Sequence, residues 1–341
     1  MRYCLIGCGR VSPEHVRAAR ENHLEIAALC DTDPQSLAEN LGPAGLDDVP
    51  VYEDYREMLR REKPGLVAVA TPSGCHAQMA LECLAAGAHV IVEKPIAMSL
   101  PDALMIQKEA RRTGLTVCNN LQNRFNPAVQ ELRRAVERGR FGHLYSASMQ
   151  LRWHRGDDYY RQAAWRGTRA LDGGCMMNQG IHGIDLVNWM LGSAPKRVTA
   201  FKATMARKIE CEDLGLALVE YQGALASIEC TTLRYPGAQE EILEFSGERG
   251  VVRLGGIAGH VVETWRFDDS PEGEEEIMRR RYAVNPKSVY GHGHSLLYAD
   301  VLRAIEEKRP PLSDAKAGTG ALALILGAYE SAETGRSVEL M

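Results

Sequence analysis

A chain of 341 residues exceeds the ~250–300 at which a single hydrophobic core usually stops growing, so two domains are the starting expectation. A hydrophobic fraction of 45% and a charged fraction of 25% exclude a largely disordered or fibrous chain. A net charge of -5 excludes any global pull toward nucleic acid or an anionic membrane surface, so an anion site must be built locally.

From Arg2 to about Asn119, short apolar runs alternate with helical patterns. Tyr3–Ile6, Ile26–Cys30, Leu66–Ala70, Val90–Val92 and Thr116–Cys118 read as strands. Pro13–Asn22, Pro34–Leu41, Tyr55–Glu62, His76–Ala86 and Ser99–Thr113 read as the helices between them. This βα repetition predicts a doubly wound parallel sheet. After a helix near Asn126–Arg138 the pattern changes to longer alternating runs at Tyr145–Trp153, Val198–Thr204, Leu214–Tyr221, Leu225–Thr232 and Glu241–Phe245. These predict an open, mostly antiparallel sheet. One helical insertion, Gly173–Leu191, lies between its first strands, Asp268–Glu276 reads as an acidic solvated loop, and helices near His294–Glu307 and Ala315–Thr334 close the chain. The fold class is therefore α/β: a Rossmann domain over 1–121, then an α+β domain over 122–341 for substrate binding and oligomerisation.

Nine cysteines without a CxxC pair fit buried thiols in a reducing compartment. No leader-like segment and no 18-residue apolar run is evident, so a cytoplasmic protein with no membrane partner is expected.

In the first βα turn, Gly7 permits a tight turn, and Gly9 lets backbone amides approach a pyrophosphate lying on the N-terminus of the next helix. Ser12 stands at the third position of the GxGxxG fingerprint, so the motif is a variant. Asp31 ends the second strand 22 positions after Gly9, where a carboxylate binds both ribose hydroxyls and repels a 2′-phosphate; NAD is the expected cofactor. Thr71-Pro72 and Glu93-Lys94-Pro95 also follow strand ends, where open α/β sheets bind ligands.

Oxidation of a secondary alcohol needs a hydride acceptor and a group that removes the hydroxyl proton. Lys94, at a strand end where desolvation favours the neutral amine, and His182, which titrates near neutrality, are the two candidates; either could be the base. Asn178, His182 and Asp185 are spaced four and three apart, so an uninterrupted helix puts them on one stripe, with Asp185 placed to orient the imidazole. Between Arg152 and Arg169 stand Arg152, Arg155, Arg161, Arg166 and Arg169 against only Asp157 and Asp158. That excess reads either as an anion site or as a solvated basic strand. His292-Gly293-His294 lacks a third and fourth ligand nearby, and no metal is expected; the segment reads as a cap of the C-terminal helix that lines the substrate pocket.

The glycine turn, Glu93-Lys94-Pro95, Gly173-Gly174, Asn178 and His182, in this order, resemble the glucose-fructose oxidoreductase / inositol dehydrogenase (Gfo/Idh/MocA) family along the whole chain. The resemblance implies Lys94 and His182 at the substrate and homo-oligomers, dimer or tetramer, formed through the open sheet. Many members carry Asp where this chain has Asn178, which leaves hydrogen bonding to substrate as the role for that position. Trp165–Thr168, Met177–His182 and Ser288–His294 are similar to the UDP-N-acetylglucosaminuronate 3-dehydrogenases (WlbA type) within it. Such enzymes oxidise the sugar 3-hydroxyl to a ketone in surface-polysaccharide biosynthesis, and a partner aminotransferase consumes the product.

The expected cofactor contacts are Gly7, Gly9, Arg10, Val11, Asp31, Thr71, Pro72, His76, Glu93, Lys94, Gln122, Trp165 and Arg166. Arg124, Asn178, Gln179 and Tyr290 are expected to hold the sugar, and Arg155 and Arg166 its anionic groups. The alternatives are an inositol or simple-sugar dehydrogenase, which has no use for the arginine excess, and a dinucleotide-responsive regulator, which has no use for both Lys94 and His182.

Overall fold

The computed structural model describes residues 1–284 and 293–340. The chain forms two compact units: Met1–Gln122 with His292–Thr319, and Asn123–Gly291 with Gly320–Met341. The first boundary falls at 122/123, and the chain comes back to the first unit after strand Val261–Phe267, before it adds the last strand of the second sheet, Val338–Glu339. Helix Gly293–Glu307 carries out that return. It packs against helix Ser12–Glu21, with Tyr298 edge-on to Tyr3 and Asn22 donating to the Ser295 carbonyl.

The first unit holds a six-stranded parallel sheet, β1 (Arg2–Ile6), β2 (Glu25–Cys30), β3 (Val51–Tyr52), β4 (Leu66–Val69), β5 (His89–Val92) and β6 (Val117–Asn119), in the order β3-β2-β1-β4-β5-β6. Every residue of β4 is buried, as expected of a strand covered on both faces by crossover helices. Those helices start where the sequence marks caps: Asp33, Asp54 and Ser99 each accept a hydrogen bond from a first-turn amide. All strand ends that carry expected site residues lie on the carboxyl side of this sheet.

The second unit is built on eight strands: β7 (Leu144–Arg152), β8 (Arg197–Ala203), β9 (Leu214–Glu220), β10 (Leu225–Thr231), β11 (Glu240–Gly247), β12 (Gly250–Gly255), β13 (Val261–Phe267) and β14 (Val338–Glu339). Their order is β13-β12-β11-β7-β10-β9-β8-β14, antiparallel except between β7 and β10. Residues alternate along β8–β10; the inward set is buried, with β9 and β10 against the turn at Cys175–Gln179, while helix Ile181–Leu191 packs on β7. The outward set includes four exposed apolar side chains among polar ones: Phe201 and Leu218 are 75% and 67% exposed, and Leu216 and Leu225 are exposed as well.

Two local expectations change. The acidic stretch ends in a helix, Glu274–Arg281, whose first-turn glutamates and last-turn arginines match the helix dipole. The insertion expected as one helix is a π-turn, Cys175–Gln179, followed by helix Ile181–Leu191. Among the described residues no helix is long and apolar enough to cross a membrane.

Candidate active site

In the first unit, β1 runs into Gly7 at φ +93°, and a Cβ there would stand 2.5 Å from the Ala70 carbonyl carbon and oxygen. Only glycine fits that approach. Gly9 differs, because a Cβ on it would meet no protein atom within 4 Å; its bare backbone borders open space. Helix Ser12–Glu21 starts just beyond, with Arg10 and Val11 in the intervening turn; its Ser12 and Glu14 amides already bond to the Gly9 and Val11 carbonyls and Pro13 has none, so the helix offers an anion its dipole rather than free first-turn amides. Asp31 abuts the same loop, accepting from the Cys8 amide at 2.6 Å and the Asp33 amide at 2.9 Å. A glycine cradle, helix N-terminus and carboxylate in this arrangement fit a dinucleotide.

Thr71, Pro72 and Lys94 occupy the loops after β4 and β5, and the Lys94–Pro95 peptide is cis. His76, an expected cofactor contact, is 1% exposed, and its ring nitrogens lie 2.9 Å from the Thr71 carbonyl and 2.7 Å from that of Pro95. Buried without surface for a ligand, it ties the two loops together, and burial pushes its pKa down.

Glu93 is similarly reassigned. Its Oε1 lies 3.2 Å from His15 Nε2 and accepts from Asn120 Nδ2, while Oε2 accepts from the Lys94 amide at 3.1 Å. Burial alone would raise this carboxyl. The hydrogen bond and charge of His15, with the charge of Lys94, hold it far below the usual carboxylate range. Glu93 is therefore a buried anion beside Lys94 and the anchor of a network, with little surface for the cofactor. Gln122 is buried as well.

The network continues from His15 Nδ1 to Tyr298 Oη at 2.7 Å and on to Tyr3 Oη at 3.0 Å. Burial pushes His294 down to about 3; the ring is neutral, and its Nε2 accepts from Asn120 at 3.0 Å. His294, expected at the sugar pocket, is thus a core residue. His15, Glu93 and His294 bring three ligand-type atoms within 4.8 Å of one another, but the donors of His15 and Asn120 already address them. Sequence reasoning missed this cluster, since its members lie on four separate segments. Tyr290 lies outside the described residues.

In the second unit, His182 is half-buried in the first turn of helix Ile181–Leu191. Both Asp185 oxygens accept from Arg124, each at 2.7 Å, and the Arg124 guanidinium lies 4.8 Å over the Trp189 ring. Arg124, expected to hold sugar, is consequently one half of a buried, bidentate ion pair.

Asn178 donates to Asp172 Oδ1, and Asp172 Oδ2 accepts from the Gly167 amide at 2.6 Å. The buried Asp172, which the sequence did not flag, thereby links the Trp165-Arg166-Gly167 turn to Asn178. Arg166 donates to Tyr159 Oη at 2.8 Å and stacks over the Tyr159 and Trp165 rings at 4.4 and 4.7 Å. Arg155 lies over Trp153 and the same Tyr159 at 4.8 and 5.1 Å, and Gln179 reaches Tyr159 Oη at 3.4 Å. Arg152, by contrast, pairs with Glu229 and Glu240, and Arg161 with Asp158. The expected arginine excess thus resolves into two ion-paired side chains, two held by aromatic rings, and the exposed Arg169.

Residues 1–121 match the NAD-binding Rossmann domain of the GFO/IDH/MocA oxidoreductases, and residues 129–253 match the GFO/IDH/MocA C-terminal domain. The chain belongs to the Gfo/Idh/MocA family of NAD-binding oxidoreductases. The WlbA dehydrogenase from Bordetella pertussis, solved with NADH and UDP-GlcNAcA, is 33% identical with a TM-score of 0.88, covering 100% of this chain and 99% of that one. The WlbA dehydrogenase from Chromobacterium violaceum, with the same two ligands, is 34% identical with a TM-score of 0.90, covering 100% and 96%. The D-glucoside 3-dehydrogenase of Escherichia coli is 28% identical over 361 residues, covering 100% of this chain and 97% of the enzyme. The protein is accordingly an NAD-dependent dehydrogenase of the sugar-oxidising kind.

Proposed function

We propose that this enzyme oxidises the 3-hydroxyl of UDP-N-acetylglucosaminuronic acid to a ketone. The likeness to two full-length relatives solved with NADH and UDP-GlcNAcA carries the reading, and the 3-position is also the one named in the glucoside-oxidising relative. Arg155 and Arg166, their guanidinium planes held against Trp153, Tyr159 and Trp165, suit the diphosphate and carboxylate of such a substrate. A neutral polyol would need neither.

NAD⁺ supplies the acceptor for the C3 hydride. The glycine loop and Asp31 hold it, with Thr71 and Pro72 in the adjoining loop and Trp165 and Arg166 as further contacts. His182 takes the proton released from the 3-hydroxyl, and Lys94 polarises that oxygen. Asn178, fixed by Asp172, and Gln179, fixed by Tyr159, hydrogen-bond the sugar. The 3-keto product is the substrate an aminotransferase takes. The outward apolar row Phe201, Leu216, Leu218 and Leu225 is the surface through which copies of the chain associate in a cytoplasmic homo-oligomer.

Purified enzyme and NAD⁺, offered UDP-sugar acids, neutral UDP-sugars and inositols with an aminotransferase and amino donor as trap, should form NADH with the UDP-sugar acid. NADH formation with inositol alone would replace this reading by that of a polyol dehydrogenase.

A further inference from the structure

The π-turn at Cys175–Gln179 sits immediately before the helix that carries His182, and one side chain from another strand end holds it. Glu212 is buried just before β9. Its backbone carbonyl accepts from the Cys175 amide at 2.9 Å, and its Oε1 accepts from the Met176 amide at 3.0 Å. The same Oε1 accepts from Tyr329 Oη at 2.8 Å. Glu212 therefore captures two first-turn amides that a helix start leaves unsatisfied, one with its backbone carbonyl and one with its carboxylate. Gly174 leaves it room. A Cβ at position 174 would stand 2.0 Å from Glu212 Oε2 and 2.1 Å from Cδ, so the glycine is required by this carboxylate rather than by its own backbone angles. Tyr329 is steadied in turn, since Lys202 lies 4.4 Å over its ring and pairs with Glu333.

The clamp bears on register. Gly180 N–H bonds to the Cys175 carbonyl at 2.8 Å, a five-residue step, and Ile184 N–H then bonds to the Gly180 carbonyl at 3.0 Å, a four-residue step. One extra residue in the winding rotates the downstream helix by roughly 100° relative to the turn before it. If the segment relaxed to a plain helix, either Asn178 would leave Asp172 or His182 would rotate away from its present direction.

We propose that Glu212, together with Tyr329, is a positioning residue that maintains the π-turn and with it the register between Asn178 and His182. This inference rests on the reading that those two residues act on the substrate.

The test uses the full-length enzyme in the coupled NADH assay, with thermal unfolding and NADH binding by fluorescence measured on every variant. Glu212→Ala should lower kcat by about ten- to a hundred-fold, the scale of a small misplacement of a reacting group, with NADH affinity kept within about two-fold. Glu212→Gln retains an oxygen that can accept from both Met176 N–H and Tyr329 O–H, and it should restore most of the activity. Gly174→Ala should be as damaging as Glu212→Ala. In the Glu212→Ala background it should add no more than about two-fold, because the group it collides with is gone. Tyr329→Phe, which removes a single hydrogen bond, should lower kcat about three-fold and provides the test if Glu212→Ala does not fold.

The proposal is overturned if folded Glu212→Ala or Tyr329→Phe keeps wild-type kcat, if Glu212→Gln is as impaired as Glu212→Ala, or if the Gly174 and Glu212 effects multiply. His182→Ala and Asn178→Ala, run in parallel, separate the two readings. Wild-type turnover in both removes the functional reading itself, whereas loss there with normal turnover in the Glu212 and Tyr329 variants removes only the clamp.

Discussion

Replacing Asp185 by Ala leaves the Arg124 guanidinium buried without its carboxylate. In the wild type both partners are almost fully buried and joined by two 2.7 Å hydrogen bonds. Breaking such a pair from one side costs about 3–5 kcal/mol, because the remaining charge stays out of water. All four tryptophans, Trp153, Trp165, Trp189 and Trp265, lie in the second unit, so intrinsic fluorescence in urea follows that unit alone. With a urea slope of about 3 kcal/mol/M, the midpoint should fall by about 1–1.7 M. The Arg124→Leu/Asp185→Leu double variant, which removes both charges, should recover most of that loss. A midpoint shift below about 0.2 M in Asp185→Ala, or a double variant no better than the single, would refute the buried-pair argument. Arg124→Leu separates this role from that of a sugar-holding arginine, whose loss would raise KM and leave the unfolding midpoint in place.

The two glycines of the first loop should separate fold from ligand. Gly7→Ala puts a methyl against the Ala70 backbone and should destabilise the first unit by about 2–4 kcal/mol, seen as a lower thermal midpoint. Gly9→Ala meets no protein atom, so it should keep the midpoint and weaken NADH binding at least about ten-fold; normal NADH affinity would show that nothing approaches that backbone. Burial pushes the Glu241 carboxyl up to about 8, so the folded chain binds a proton that the unfolded chain releases between about pH 4.3 and 8, and stability falls as pH rises through that window. Glu241→Gln should then stabilise the second unit more at pH 9 than at pH 5, and an equal effect at both would contradict the assignment. Leu218→Arg on the outward row should shift sedimentation toward a smaller species, and an unchanged species would exclude this face as the interface.

Legibility in the sequence was governed by local chemistry. Apolar runs at Tyr3–Ile6 and Leu66–Ala70 separated by helical spacing sufficed for a parallel sheet, because covering both faces requires that pattern. Gly7, Gly9 and Asp31 were readable because turn, strand end and spacing are fixed over one βα unit. Long-range pairing was not. Asp185 stands three residues from His182, a relation that spacing shows, whereas its bidentate partner Arg124 stands 61 positions away and no local pattern points to it. His15, Glu93, Asn120 and His294 come together only through the return of Gly293–Glu307 to the first unit. The π-turn was hidden for a related reason: an i, i+4 spacing assumes uninterrupted winding, and the residue that interrupts it, Glu212, belongs to another segment.

Initial rates of NADH formation with UDP-N-acetylglucosaminuronic acid and NAD⁺, measured for the wild type, Lys94→Ala and His182→Ala under the aminotransferase trap, bear most directly on the mechanism. Each replacement should lower turnover by about 10²–10⁴-fold, the contribution of a positioned acid or base, while NADH binding by fluorescence persists. Wild-type rates in both variants would contradict the assignment of the chemistry to these two residues.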